Sequence, residues 1–289
     1  MVLSSYFEVV VAAVIWGSAG VFVKYLDLPP ATLSFFRLAV PTLILLAYFT
    51  VKGIRLFRGD NKMILLASLL NIAKTFLYFV GFTFTSIGNA VIVFFTWPIF
   101  AALLEVSFLK EKMTRKNMLL LAVAFFGIVL VYLNRKFSFS DSDFIGMAAM
   151  TLCALINAVS MVIFKKVSKK YSKYEMIFYQ NVMGAAVFFP FIFINSPLPS
   201  FSQSMVAVFY SALVGLMGFV LYFSALKKIK VSTASFLTYF EPVSAILLGM
   251  VLFAEKMTWN MAAGGVLIVV SAVMLKAEET KGNKKLPMD

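Results

Sequence analysis

Ser86–Thr114 reads SIGNAVIVFFTWPIFAALLEVSFLKEKMT, and 144 residues later Lys230–Thr258 reads KVSTASFLTYFEPVSAILLGMVLFAEKMT. Nine of the 29 positions are identical without a gap, including Pro98/Pro242 and the closing Glu-Lys-Met-Thr. At the same offset Leu77-Tyr78-Phe79 falls on Leu221-Tyr222-Phe223. Each copy carries an apolar run close to the roughly 20 residues that a helix needs to cross a bilayer. A long repeat inside a hydrophobic chain implies two copies of one membrane unit, and solute sites often lie between such copies.

Composition supports a lipid environment. Of 289 residues 62% are hydrophobic and only 13% charged, against roughly 45–50% and 25% in soluble domains. The excess of 26 Lys+Arg over 13 Asp+Glu needs no nucleic-acid partner, because basic residues collect in the cytoplasmic loops of membrane proteins. A single cysteine, Cys153, excludes an internal disulfide and a cysteine metal cluster, and the absence of histidine excludes a histidine proton relay. Residues 1–26 lack a basic n-region and a small-x-small cleavage signal, so they are expected to form a retained first span.

Apolar runs lie at 6–26, 31–51, 62–82, 87–108, 116–133, 144–164, 175–194, 204–226, 231–253 and 259–275. The expected fold is all-α, with ten transmembrane helices. With both termini in the cytoplasm, the inner loops and tail hold 20 Lys+Arg and the outer loops only Arg135, Lys136 and Lys256. That bias orients the chain. Five spans per copy is an odd number, so the second copy is expected upside down relative to the first. Glu111-Lys112 then falls inside and its repeat partner Glu255-Lys256 outside. The expected divisions are a first repeat over 1–137, a second over 138–277 and a cytoplasmic tail over 278–289, with Ser138–Asp143 as the external linker.

Trp16-Gly17 with Lys24, Phe35-Phe36-Arg37, and Pro98 followed by Glu111 form an ordered set. Asn157-Ala158 with Lys165, Phe178-Tyr179-Gln180, and Pro242 with Glu255 repeat it. This duplicated set resembles the EamA domain, and the whole chain is similar to ten-span members of the drug/metabolite transporter superfamily. The resemblance implies an inverted-repeat carrier whose central cavity is built mainly by the first four helices of each copy, the fifth packing outside. It leaves the solute open, since fold does not fix substrate. The copies differ where Asn157 replaces a common Trp, where Gln180 stands for Arg37, and where Trp97-Pro98 faces Glu241-Pro242.

A charge at mid-membrane costs about 2.5–3.5 kcal/mol on insertion scales, so retained ones face a wet cavity, a partner or a substrate. Lys74 and Glu241 fall near the middle of the third and ninth spans and Arg37 a third of the way in, while Glu8 and Lys24 lie close enough to the ends to snorkel. Helical spacing puts Asn71, Lys74 and Tyr78 on one face. The repeat-equivalent face is Gly215, Gly218 and Tyr222, so where one copy offers a lysine the other is expected to offer an empty space. The alternatives are that the glycines serve close helix packing and that Lys74 pairs with Glu241. Ser232, Ser235, Thr238 and Glu241 form a polar stripe, and Pro242 is expected to free the Thr238 carbonyl beside it. Trp16 and Trp97 lie deep, away from the interfacial belt, and Gln180, Asn181 and Asn157 are mid-span amides. The candidate substrate contacts are thus Lys74, Glu241, Arg37, Tyr78, Trp97, Gln180, Asn71, Tyr222, Trp16 and Thr238. Glu241 and then Glu105 are the candidates for proton coupling. Thr114 and Thr258 are placed to cap the helices that follow them.

No G-x-x-x-x-G-K-[ST] motor motif occurs, and no metalloprotease histidine or paired catalytic acids point to an enzyme. The expectation is a monomeric secondary transporter in the cytoplasmic membrane, without cofactor. It would move a small zwitterionic or anionic metabolite such as an amino acid by alternating access, outward. Two deep cations against one deep anion leave the core near +1, which favours that class over a cationic drug. An exchanger of phosphorylated or nucleotide-type metabolites and a lipid-intermediate flippase are the alternatives.

Overall fold

The computed structural model describes residues 2–26, 28–56, 62–85, 87–110, 113–133, 141–194, 198–253 and 257–283. Among them every regular element is a helix. In chain order they are α1 (Val2–Gly17), α2 (Ala19–Leu26), α3 (Pro30–Val51), α4 (Lys62–Phe84), α5 (Ile87–Phe94), α6 (Trp97–Phe108), α7 (Arg115–Tyr132) and α8 (Asp141–Val167). There follow α9 (Lys173–Phe188), α10 (Phe191–Ile194), α11 (Phe201–Tyr210), a π-helical segment (Ser211–Met217), α12 (Gly218–Leu226), α13 (Val231–Leu237), α14 (Phe240–Phe253) and α15 (Trp259–Asn283).

Seven stretches among the described residues are long and apolar enough to cross a membrane: Ala31–Val51, Asn89–Phe108, Arg115–Tyr132, Ser142–Val167, Lys173–Ile194, Phe201–Leu226 and Val231–Leu252. Ser4–Gly17 and Trp259–Leu275 are shorter apolar helices. The protein is therefore an all-helical, multi-pass membrane protein. Glu111, Lys112, Glu255, Lys256, the start of the linker and the end of the tail lie outside the described residues, as does the Lys24 side chain.

Local chemistry sets the helix ends. Pro29 and Pro30 open α3, where a missing N–H costs nothing. Thr114 accepts from the Asn117 N–H at 3.1 Å and Thr258 from the Met261 N–H at 3.3 Å, so both threonines cap as expected. The first span is broken rather than continuous: Ser18 donates through its hydroxyl to the Ile15 carbonyl at 2.6 Å and separates α1 from α2.

The repeated stretch is broken in both copies, one to two residues apart in register. Thr96 N–H and hydroxyl both turn back to the Val93 carbonyl, at 3.1 and 2.7 Å, dividing α5 from α6 just before Pro98. In the second copy Thr238 and Tyr239 donate to Ser235 and Phe236 at 3.1 Å each, dividing α13 from α14. Here one expectation is corrected. The Thr238 carbonyl is not left free by Pro242, because the Glu241 N–H reaches it at 2.9 Å in a tightened turn. The two breaks touch each other. The Tyr239 hydroxyl donates to the Phe95 carbonyl at 3.0 Å, and 239 is the repeat equivalent of 95.

The bundle packs α4 on α8, α3 on α9, α1 on α12 and α14, and α7 on α15. Where α7 meets α15, a Cβ on Gly127 would lie 2.8 Å from the Gly264 carbonyl oxygen. One on Gly264 would lie 2.3 Å from that of Gly127. These helices meet backbone to backbone, which only small residues allow.

Candidate functional site

The site is assembled from five helices. Arg37 projects from α3, Lys74 and Tyr78 from α4, Glu241 from the first turn of α14, Trp16 from the end of α1, and Phe219 and Tyr222 from α12. Electrostatic coupling joins Lys74 to Arg37, Glu241 to Arg37, and Tyr78 to both Glu241 and Arg37. Arg37, Lys74, Tyr78 and Glu241 are each only partly buried despite their place deep in the bundle. Residues spread over 204 positions of sequence thus come within electrostatic reach of Arg37. Tyr210, coupled to Arg37 and Glu241, belongs to the same group.

Aromatic rings form the wall beside it. The Trp16 ring lies 4.9 Å from Phe219 and 5.3 Å from Tyr222, and the Arg37 guanidinium carbon sits 5.9 Å from the Phe219 centroid. That is the range of a cation–π contact. The Trp16 indole N–H donates to the Val214 carbonyl at 3.2 Å, inside the π-helical segment. A π turn widens the i→i−4 ladder and frees backbone carbonyls, and such turns concentrate at functional sites.

The glycine face is corrected by this geometry. The space beside Gly218 is not empty: a Cβ there would lie 2.5 Å from the Trp16 indole nitrogen. A Cβ on Gly215 would lie 2.8 Å from the Arg37 carbonyl oxygen. The glycines admit Trp16 and the α3 backbone rather than a solute. Lys74 hydrogen-bonds the Asn157 side-chain oxygen at 3.4 Å, so the Asn that stands where a Trp is common positions the lysine.

The remaining candidates are held elsewhere. Asn71 donates to the Gln180 carbonyl at 2.9 Å and accepts from the Gln180 amide at 3.5 Å. With Ser68 bonded to the Tyr179 carbonyl, they fasten α4 to α9. Trp97 is buried at the start of α6. Thr238 is buried and turns its hydroxyl to the Ser235 carbonyl at 2.6 Å, as Ser235 does to Ser232 at 3.0 Å. Ser235 and Thr238 of the polar stripe are therefore occupied with their own helix. Glu105 is buried and accepts from the Val231 and Ser232 N–H groups at 2.6 and 2.9 Å. Tyr210 and Phe219 were not anticipated, because nothing in the spacing separates them from the many packing aromatics.

A partly buried cluster of two cations and one carboxylate, walled by aromatic rings between membrane helices, suits a bound solute. The EamA-like transporter family matches residues 3–133 and again 144–276. The chain belongs to that family. It resembles the uncharacterized transporter YoaV of Bacillus subtilis, 29% identical over 280 residues that cover 92% of this chain and 94% of that protein. It also resembles the pseudopaline exporter CntI of Pseudomonas aeruginosa, 26% identical over 248 residues covering 86% of each. Solute carrier family 35 member G1 of mouse is 24% identical, covering 92% of this chain and 76% of its own length. A solved crystal structure of 19% identity superposes with a TM-score of 0.84 over 94% of this chain and 98% of that one, a likeness of fold alone. This family member is a membrane transporter rather than an enzyme.

Proposed function

We propose that this transporter moves a small zwitterionic or anionic metabolite, an amino acid or a close relative, outward across the cytoplasmic membrane. The observation that carries this reading is the electrostatic coupling of Arg37 with both Lys74 and Glu241 deep in the bundle. The two cations suit a carboxylate and Glu241 suits an ammonium group, while a cationic drug would meet a net positive site. The outward direction rests on likeness to a pseudopaline exporter.

In this reading the ten spans form two inverted five-helix copies with both termini in the cytoplasm, and α7 and α15 are the outer fifth helices. The copies rock about the shared site, which opens to one face of the membrane at a time. Glu241 is the proton carrier if flux is proton-coupled. Reconstituted protein should accumulate at least one solute from a panel of labelled amino acids, and Lys74→Ala and Glu241→Gln should each impair that uptake. Unchanged uptake in both variants removes these residues from the site. Collapsing an imposed pH gradient during uptake decides coupling.

A further inference from the structure

The turn of residues 227–230, between α12 and α13, is held on one side by a half-buried lysine and on the other by a buried glutamate. The Lys165 ammonium donates to the Leu226 and Ile229 carbonyls at 2.7 and 2.6 Å, where the α12 chain ends. The Glu105 carboxylate accepts from Val231 and Ser232 at the first N–H groups of α13. Each charge has the sign that the adjoining backbone dipoles favour. Lys165 lies in the same copy as the turn, but Glu105 lies in the other, so its two bonds join the copies. Lys227 adds a bond to the Tyr171 carbonyl at 3.0 Å, and Lys228 pairs with Glu8 at 3.6 Å.

The repeat equivalent of Glu105 is Gly249, which has no side chain. A carboxylate at this position therefore joins the copies at one end of the bundle only. A buried carboxylate side chain bonded to two N–H groups is costly to strip of its partners. A replacement donor is nearby, however. The Tyr222 hydroxyl is buried without a hydrogen-bond partner and lies within electrostatic reach of Glu105.

We propose that Glu105 is a positioning residue that holds the 227–230 end of the bundle shut, and that each transport cycle requires its carboxylate to leave the α13 N–H groups for the Tyr222 hydroxyl. This rests on the alternating-access reading above. Glu105 then acts on transport without touching the solute.

The test needs no solute. In a Cys153→Ala background, which removes the one native cysteine, single cysteines are placed at the buried, repeat-equivalent positions Ala90 and Ala234. A membrane-impermeant thiol reagent is applied to purified protein in detergent. Glu105→Gln keeps the volume but turns an N–H donor toward an N–H donor. It should speed labelling of Ala234→Cys about tenfold or more and slow that of Ala90→Cys. Val231→Pro, acceptable at a first helical position, removes one donor while leaving Glu105 intact, and should shift both rates the same way. It carries the test should Glu105→Gln not fold. Reciprocal change supports the proposal. Rates that stay unchanged, or that both rise as they would in a loosened bundle, overturn it. Reciprocal labelling without amino-acid uptake would leave the Glu105 role standing and remove the solute assignment instead.

Discussion

The two broken helices share a backbone and differ in chemistry. Each stops about one turn before a proline, at Pro98 and Pro242, and each resumes into the helix that carries that proline. At the first break the side chains are Phe95 and Trp97, both buried. At the second they are Tyr239, which bonds the Phe95 carbonyl, and Glu241, which joins the charged cluster. Architecture is what the duplication preserved, and chemistry is what diverged on it. A solute with two different ends needs that divergence.

The largest effect should come from removing the divergent charges. Lys74→Ala and Glu241→Gln should each cost about 2 kcal/mol or more of solute binding, on the order of thirtyfold in transport efficiency. The thermal stability of the detergent-solubilised protein should stay close to the parent. The corresponding change in the first copy, Trp97→Phe, should leave uptake within about twofold, because Trp97 is a core residue. If the two breaks respond alike, the comparison fails.

The next effect tests a symmetric element. Gly264→Leu and Gly127→Leu should both destabilise, by about 1–3 kcal/mol or more, since each side chain would strike a backbone carbonyl of the facing helix. Thermal unfolding in detergent measures this, and equal losses are expected. Tyr239→Phe gives the second break the side chain that Phe95 has in the first and leaves the Phe95 carbonyl without that donor. It should cost about 1–3 kcal/mol of stability, seen in the same assay. The smallest effect belongs to the matched caps: Thr114→Ala and Thr258→Ala should each cost about 1 kcal/mol, and by similar amounts.

What could be read from the sequence was local or periodic. The breaks follow from Pro98 and Pro242, the caps from Thr114 and Thr258, and the start of α3 from Pro29 and Pro30. The convergence of Arg37, Lys74 and Glu241 could be anticipated because a charge at membrane depth must have company. What could not be read depends on contacts far apart in the chain. Glu105 finds its partners 126 and 127 residues away, and Trp16 reaches Val214 across 198. Without knowledge of those partners, Glu105 resembled a proton site and Gly218 resembled a vacancy. The π-helical segment has no residue signature of its own: Ser211–Met217 reads as ordinary apolar helix.

The bond from Tyr239 to Phe95 has a consequence for how such a protein can be encoded. Its donor and acceptor sit at equivalent places in the two copies. Two identical chains assembled as a pair would form this bond twice or not at all, since every residue brings the carbonyl but only tyrosine brings the hydroxyl. A single polypeptide that spells the two copies independently can place the bond once, and so hold its two breaks by unequal contacts.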